Sequence, residues 1–408
     1  GGVSFFYPSI GANAILSELI RMPEMVNFAK VRASYAEVGN APLAYQSNPP
    51  YATIGSGGSI VINNTSPFTA LSPEKTKSFE VGTAWRFLND RLSLDFTYYN
   101  THTHNQTIQI QQGQASFYDN GYLNAGNIEN QGVELMVNYQ VMRTEKFRWN
   151  SGINYSFNRN KVISLAPGVN QSVISGASGA NYVSQVRVGG SIGDIYGTVL
   201  QRDGSGRILV NTTTDANNVV THTPLATTAD TSYLGNPNPR WQLGWSNSFN
   251  YGNFVFSFLV DGKFGGKVLS VTQQLLDSYG VSEETGAARK AGGVPVNAID
   301  QTSKAVSSID AQTWYTTIGG RNGVSGEYMY DATVVRLREM AIGYNIPVKS
   351  SVVRNLRVSL TGSNLFYFSK KAPYDPELTM STNNQMSGVD IFMPPATRSF
   401  GITVNAGF

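Results

Sequence analysis

Hydrophobic and polar residues alternate with a period of two along most of this chain. Alternate residues of an extended strand point to opposite faces. Over 399–408, Phe400, Ile402, Val404, Ala406 and Phe408 share one face, while Ser399, Gly401, Thr403, Asn405 and Gly407 share the other. Phe147, Trp149, Ile153, Tyr155 and Phe157 oppose Arg148, Asn150, Gly152, Asn154 and Ser156. Leu92, Leu94, Phe96 and Tyr98 oppose Ser93, Asp95, Thr97 and Tyr99, and Trp241, Leu243 and Trp245 oppose Gln242, Gly244 and Ser246. The runs are roughly 8 to 12 residues long, close to the 9–11 that a tilted strand needs to cross a bilayer. Charges fall opposite the aromatics, as an apolar band against lipid over a polar interior requires. The pattern therefore predicts Phe79, Trp85, Phe147, Trp149, Trp241, Trp245, Phe254 and Phe256 outward. It predicts Glu80, Arg86, Asp95, Glu134, Arg148, Arg336 and Arg357 inward.

Connection lengths order these strands. Short links at 88–91, 143–146 and 251–253 alternate with long polar ones at 40–75, 102–121, 164–235, 265–330 and 369–397. Outer-membrane barrels pair short periplasmic turns with long extracellular loops. The predicted fold is all-β, a transmembrane antiparallel β-barrel with about eleven strands. Bacterial barrels have even strand numbers, so an odd count fits half of a larger barrel. Short helical turns are expected within 15–27 and 269–291. Parity breaks near Arg338-Glu339, where one extra residue would make a β-bulge.

Composition narrows the class. The chain has 408 residues, a net charge of +3 and no Cys. No disulfide framework or thiolate metal site is available, and the charge gives no reason to expect nucleic acid. Charged residues are 14%, below the roughly 25% of soluble domains. No apolar stretch is long enough for a transmembrane helix, so a membrane-spanning form must close as a barrel. The chain starts at Gly1-Gly2 without an initiator Met or signal peptide, and reads as a fragment beginning mid-protein.

Six strings in order carry a family resemblance. They are Leu71-Ser72-Pro73-Glu74-Lys75-Thr76; Asn127-Ile128-Glu129-Asn130-Gln131-Gly132; Gly193-Asp194-Ile195-Tyr196-Gly197; Gly235-Asn236-Pro237-Asn238-Pro239; Val335-Arg336-Leu337-Arg338-Glu339; and Asn364-Leu365-Phe366 followed by Tyr374-Asp375-Pro376-Glu377. With the barrel pattern around them, the chain resembles the C-terminal half of a SusC/RagA-type TonB-dependent outer-membrane transporter. The resemblance implies a 22-stranded barrel, an N-terminal plug, a segment contacting the TonB complex, and a SusD-like surface lipoprotein as lid. Residues 1–408 would be the C-terminal barrel part, with the plug and TonB-contacting segment absent from this chain.

Candidate chemistry is sparse. No nucleophile, phosphate-loop or cofactor motif is present, so no catalytic or cofactor residue is assigned and an enzyme is the least favoured class. His102-Thr103-His104 puts two imidazoles on one strand face, but without further ligand types it reads as a polar strand end, and no metal is assigned. Glu283-Glu284 reads as a solvated loop, and 202–207 as a hairpin turn. The loop aromatics Tyr118, Tyr182, Trp314, Tyr315 and Tyr374 are candidate substrate or lid contacts, with loop packing as the plainer alternative. Phe408 is the candidate assembly signal, since a terminal aromatic suits the membrane interface. The leading function is active import of an oligosaccharide or peptide across the cell outer membrane, with the lipoprotein, the TonB complex and the bilayer as partners. A passive porin and a barrel-anchored surface or assembly protein are the alternatives.

Overall fold

The computed structural model describes residues 6–41, 50, 52–55, 58–67, 72–111, 118, 120–166, 168–176, 181–227, 232–348, 352–380 and 387–407. Eleven strands form one antiparallel sheet in chain order. They are β1 Ser9–Ile15, β2 Val26–Asn40, β3 Glu74–Phe87, β4 Leu92–Gln111, β5 Asn120–Arg143 and β6 Phe147–Ser164, then β7 Trp241–Tyr251, β8 Phe254–Phe264, β9 Val334–Ile346, β10 Asn355–Lys370 and β11 Ser399–Gly407. β1 and β11 are the two edges of this sheet. A four-residue helix, α1 Leu16–Leu19, lies in the link between β1 and β2.

Register assigns the faces. Trp149, Phe249, Phe256, Ile342, Leu360 and Ile402 are direct cross-strand neighbours in one row. The adjacent row is Gln140, Asn150, Ser248, Ser257, Ala341 and Thr361, which lines a concave cavity of about 790 Å³. Apolar rings therefore lie on the convex face and amides and hydroxyls on the concave one. None of the eight rings expected outward is buried in a closed core, and Phe79, Trp245 and Phe254 are exposed. Asp95 and Glu134 line a second concave cavity, as expected of the inward set. Two polar residues intrude on the apolar face, where indoles donate to their oxygens, while the buried Asn247 Nδ2 finds no partner among the described residues. Trp149 Nε1 donates to Asn247 Oδ1 at 2.9 Å, and Trp245 Nε1 donates to Ser151 Oγ at 3.0 Å.

Glycine on the concave face lets side chains cross strands. Arg32 lies over Gly82, where any Cβ would meet its guanidinium, and reaches Asp95 at 2.7 Å and Thr97 at 2.6 Å. Tyr99 crosses Gly132 in the same way and donates to Asn158 Oδ1 at 3.0 Å. The Arg32–Asp95 pair is thus closed laterally, strand to strand.

One expectation about connections is corrected. Much of 102–121 is strand: β4 runs on to Gln111 and β5 begins at Asn120. The connections 164–235, 265–330 and 369–397, read from the sequence only as long and polar, hold folded elements among their described residues. The strands Ser232–Gly235, Asp194–Gly197, Tyr182–Arg187 and Gln171–Gly176 form a sheet in that order. Val220–Pro224, Ile208–Thr214, Val294–Asp300 and Ala305–Ile309 form a second. Three helices pack with them: α2 Val271–Ser278, α3 Glu283–Ala291 and α4 Ala311–Gly319. Ser270, Ser282 and Asp310 cap their N-termini by accepting from Gln273, Thr285 and Thr313 N–H. Glu283 and Glu284 occupy the first turn of α3, where the helix dipole favours them, rather than a loop. Ile195, Val210, Leu269, Ile309, Val324 and Tyr328 make up one buried core beneath these elements. The sequence 202–207 does turn a hairpin, with Asp203 Oδ1 accepting from Ser205 and Arg207 N–H.

Candidate functional site: the barrel mouth and its ionic cluster

Strand β9 carries the predicted bulge. Its register shifts between Leu337 and Glu339 against β10, and opposite Leu259/Val260 against β8. Asn364 on β10 takes a positive φ of 53° at the matching irregularity. The bulge lets Arg336 and Arg338 converge on Asp261 of β8, at 3.2 Å and 2.7 Å.

The segment after β10 completes the cluster. Arg336 Nη1 donates to Asp375 Oδ2 at 3.1 Å, and its Nη2 pairs with Glu377. Arg338 Nη2 reaches Glu377 Oε1 at 2.9 Å, Lys263 Nζ reaches the same oxygen at 2.8 Å, and Tyr367 Oη donates to Asp375 at 2.9 Å. Three cations therefore meet three carboxylates, and the charge closes locally. Arg336 and Asp375 are buried at its centre, and the other four members are partly exposed around them, so the central pair depends on its partners. Burial pushes the Glu377 carboxyl up, but hydrogen bonds from Arg338, Lys263 and Arg336 outweigh it and hold the group at about 2. The cluster fastens the 371–398 segment to the inner wall at the mouth.

The strings that carried the resemblance meet here. Val335–Glu339, Asn364–Phe366 and Tyr374–Glu377 build the cluster; Arg338 Nη1 contacts Asn364 Oδ1 at 3.4 Å. Asn236 Nδ2 donates to Asp194 Oδ1 at 2.8 Å, joining two further strings above the mouth. Asp261 and Lys263 were missing from the sequence reading as partners; their inward parity on β8 was the available signal.

Three of the candidate contact residues share one core, and the others lie apart from it. Tyr182 and Trp314 are 3% and 8% exposed and belong to the core of the loop layer. Tyr315 packs at the edge of that core and lines a cavity of about 210 Å³ with Asp277, Arg289 and Gln312. Tyr374 packs beside Tyr330 against a smaller core of Val268, Ala332 and Ala372. Tyr118 is half-buried. The structure does not bring these five together. Phe408 lies outside the described residues. His102 and His104 stack at 6.3 Å on β4, with Glu129 3.7 Å from His102, and no group of three metal-ligating side chains occurs among the described residues.

A family model described as "TonB dependent receptor-like, beta-barrel" matches residues 2–365. TonB-dependent receptor P3 of Formosa agariphila is 25% identical, over 99% of this chain and 42% of its own. TonB-dependent receptor SusC of Bacteroides thetaiotaomicron is 23% identical, over 82% of this chain and 32% of its own. The chain thus spans less than half the length of these relatives. The RagAB peptide importer in its closed-closed state shares the fold with a TM-score of 0.68, at 17% identity, over 98% of this chain and 43% of that one. The chain belongs to the TonB-dependent receptor-like β-barrel family of the outer membrane.

Proposed function

We propose that the chain forms the C-terminal wall and external platform of an energised nutrient importer, acting with a SusD-like surface lipoprotein and the TonB complex. The observation that carries this reading is the folded loop layer, with its own core and its ionic attachment at the mouth. A passive pore needs no such platform, whereas a docked lid needs a rigid surface. Loops this long are usually functional when ordered. The free edges of β1 and β11 would pair with the strands of an N-terminal half carrying the plug, since an open edge cannot face lipid. The relatives' names agree in class: one is a SusC, another belongs to a peptide importer.

Two measurements test this. Mild-detergent purification of the whole transporter should bring down a surface lipoprotein, and uptake of its oligosaccharide or peptide nutrient should stop when a protonophore collapses the inner-membrane gradient. Uptake that persists without the gradient would make it a passive pore. For Phe408, the proposed role is an assembly signal at the end of β11. Replacing it with Asp should lower outer-membrane levels well beyond the cost of one side chain, and normal surface levels would refute that role.

A further inference from the structure

Between the barrel rim and the loop layer lies a groove of about 960 Å³. Its wall includes Asn158 of β6, Tyr233, Asn238, Arg240, Lys267 and the Asp331–Lys371 pair. Resting on the import reading above, we propose that this groove receives an acidic oligosaccharide. Arg240 and Lys267 hold its carboxylates and Tyr233 stacks on a sugar face.

The charge count points this way. Lys371 Nζ is 3.3 Å from Asp331, so that pair is closed. Asp194, the other carboxylate of the wall, is buried and accepts from Ser191 N–H at 2.9 Å and Asn236 Nδ2 at 2.8 Å. Arg240 and Lys267 have no carboxylate within 4.0 Å among the described residues. Arg159 and Lys161 at the rim add the same sign. Both unpaired cations have their stems held in place. Arg240 packs on Gly265, whose φ is +77°, and Lys267 covers Gly235, whose φ is +150°. A cation fixed in a groove without an acidic partner is a preformed seat for a carboxylate, where charge-assisted hydrogen bonds are short and strong.

Sugar is favoured over peptide by the remaining groups. Tyr233 is 57% exposed and touches Tyr196 edge-on at 5.5 Å and 63°, which leaves a ring face open. Asn158 and Asn238 supply amides beside it. An apolar platform with a few placed polar groups is the usual make-up of a ligand site. A peptide bound by strand addition would need a free sheet edge. Ser232–Gly235 is an end strand of only four residues, and just past it the Asn236 carbonyl already accepts Lys267 N–H at 2.8 Å, so it offers a peptide little ladder.

The test uses the whole transporter, with its lipoprotein if one co-purifies, and calorimetry at low and high salt. The probes are an oligogalacturonate, a maltooligosaccharide of equal length and a Glu-rich peptide. Wild type should bind the oligogalacturonate in a salt-dependent manner. Arg240→Gln and Lys267→Gln should each weaken it by about tenfold or more, and the double variant should prefer it no longer over the neutral sugar. Heat-modifiability gels should show all variants folded. Equal wild-type affinity for the two sugars, no sugar binding at all, unchanged affinity in the double variant, or preference for the Glu-rich peptide would each overturn the inference. Protonophore-sensitive uptake of a neutral nutrient by cells carrying the double variant would uphold import independently of that result.

Discussion

Replacing Arg336 with alanine should release the 371–398 segment from the barrel wall. Arg336 is buried and touches Asp261, Asp375 and Glu377. Its loss leaves those three carboxylates facing only Arg338 and Lys263. Breaking a buried ionic cluster from one side costs about 3–5 kcal/mol, because charge is left uncompensated away from water. The eleven-stranded ladder does not depend on this contact. The expected result is a barrel of normal heat-modifiability whose last external loop is cut rapidly by protease near Lys370 and Lys371. Arg336→Lys should rescue only partly, since an ammonium cannot engage two carboxylates through a planar fork. Acid should do to wild type what the substitution does. Glu377 is held at about 2 against an ordinary value of 4.5, so its contribution is complete above 4.5 and fades as pH falls toward 2. Pepsin cleavage of the loop should rise across that window in wild type. It should be high throughout in Glu377→Gln. A loop in Arg336→Ala as protected as in wild type would show that the cluster does not hold it.

The second large effect is a contrast between neighbours. Trp149→Arg should impair assembly, while Asn150→Arg should be tolerated. Trp149 lies in the apolar row, stacked on Phe249 at 5.5 Å. A cation at the lipid midplane costs about 2–4 kcal/mol. The substitution also removes the indole partner of Asn247, a side chain only 3% exposed. Asn150 lines the concave cavity beside Gln140 and Ser248, where an arginine meets polar neighbours and water. The readout is the fraction of heat-modifiable, folded barrel in outer membranes. Equal fractions for the two variants would mean the facing is wrong.

The barrel wall was legible because lipid on one side and polar interior on the other impose a strict period of two. The same strictness made the break at Arg338-Glu339 readable as a bulge. The far half of β4 was not read as strand, because 105–111 lies beyond the aromatic rows and carries Gln and Thr on one parity without any ring on the other. The loop layer was illegible for a different reason. Its core takes Tyr182, Ile208, Leu269, Trp314 and Val389 from five distant segments, none long enough to show a period. An aromatic in such a segment reads equally as ligand contact or as core, and Tyr182 and Trp314 are core. The ionic cluster was half visible: Arg336 was expected inward, but its carboxylate partners Asp375 and Glu377 are 39 or more residues away, across a strand and a loop.

The most direct test of the wall is to measure which face meets lipid. The chain contains no cysteine, so single spin-labelled cysteines can be placed along β6 without background. At 153, 155 and 157 the label should be accessible to oxygen from the bilayer and shielded from a water-soluble nickel chelate. At 154, 156 and 158 the preference should reverse. Six positions that behave alike, or a pattern with the opposite phase, would contradict a lipid-facing aromatic wall and the barrel assignment built on it.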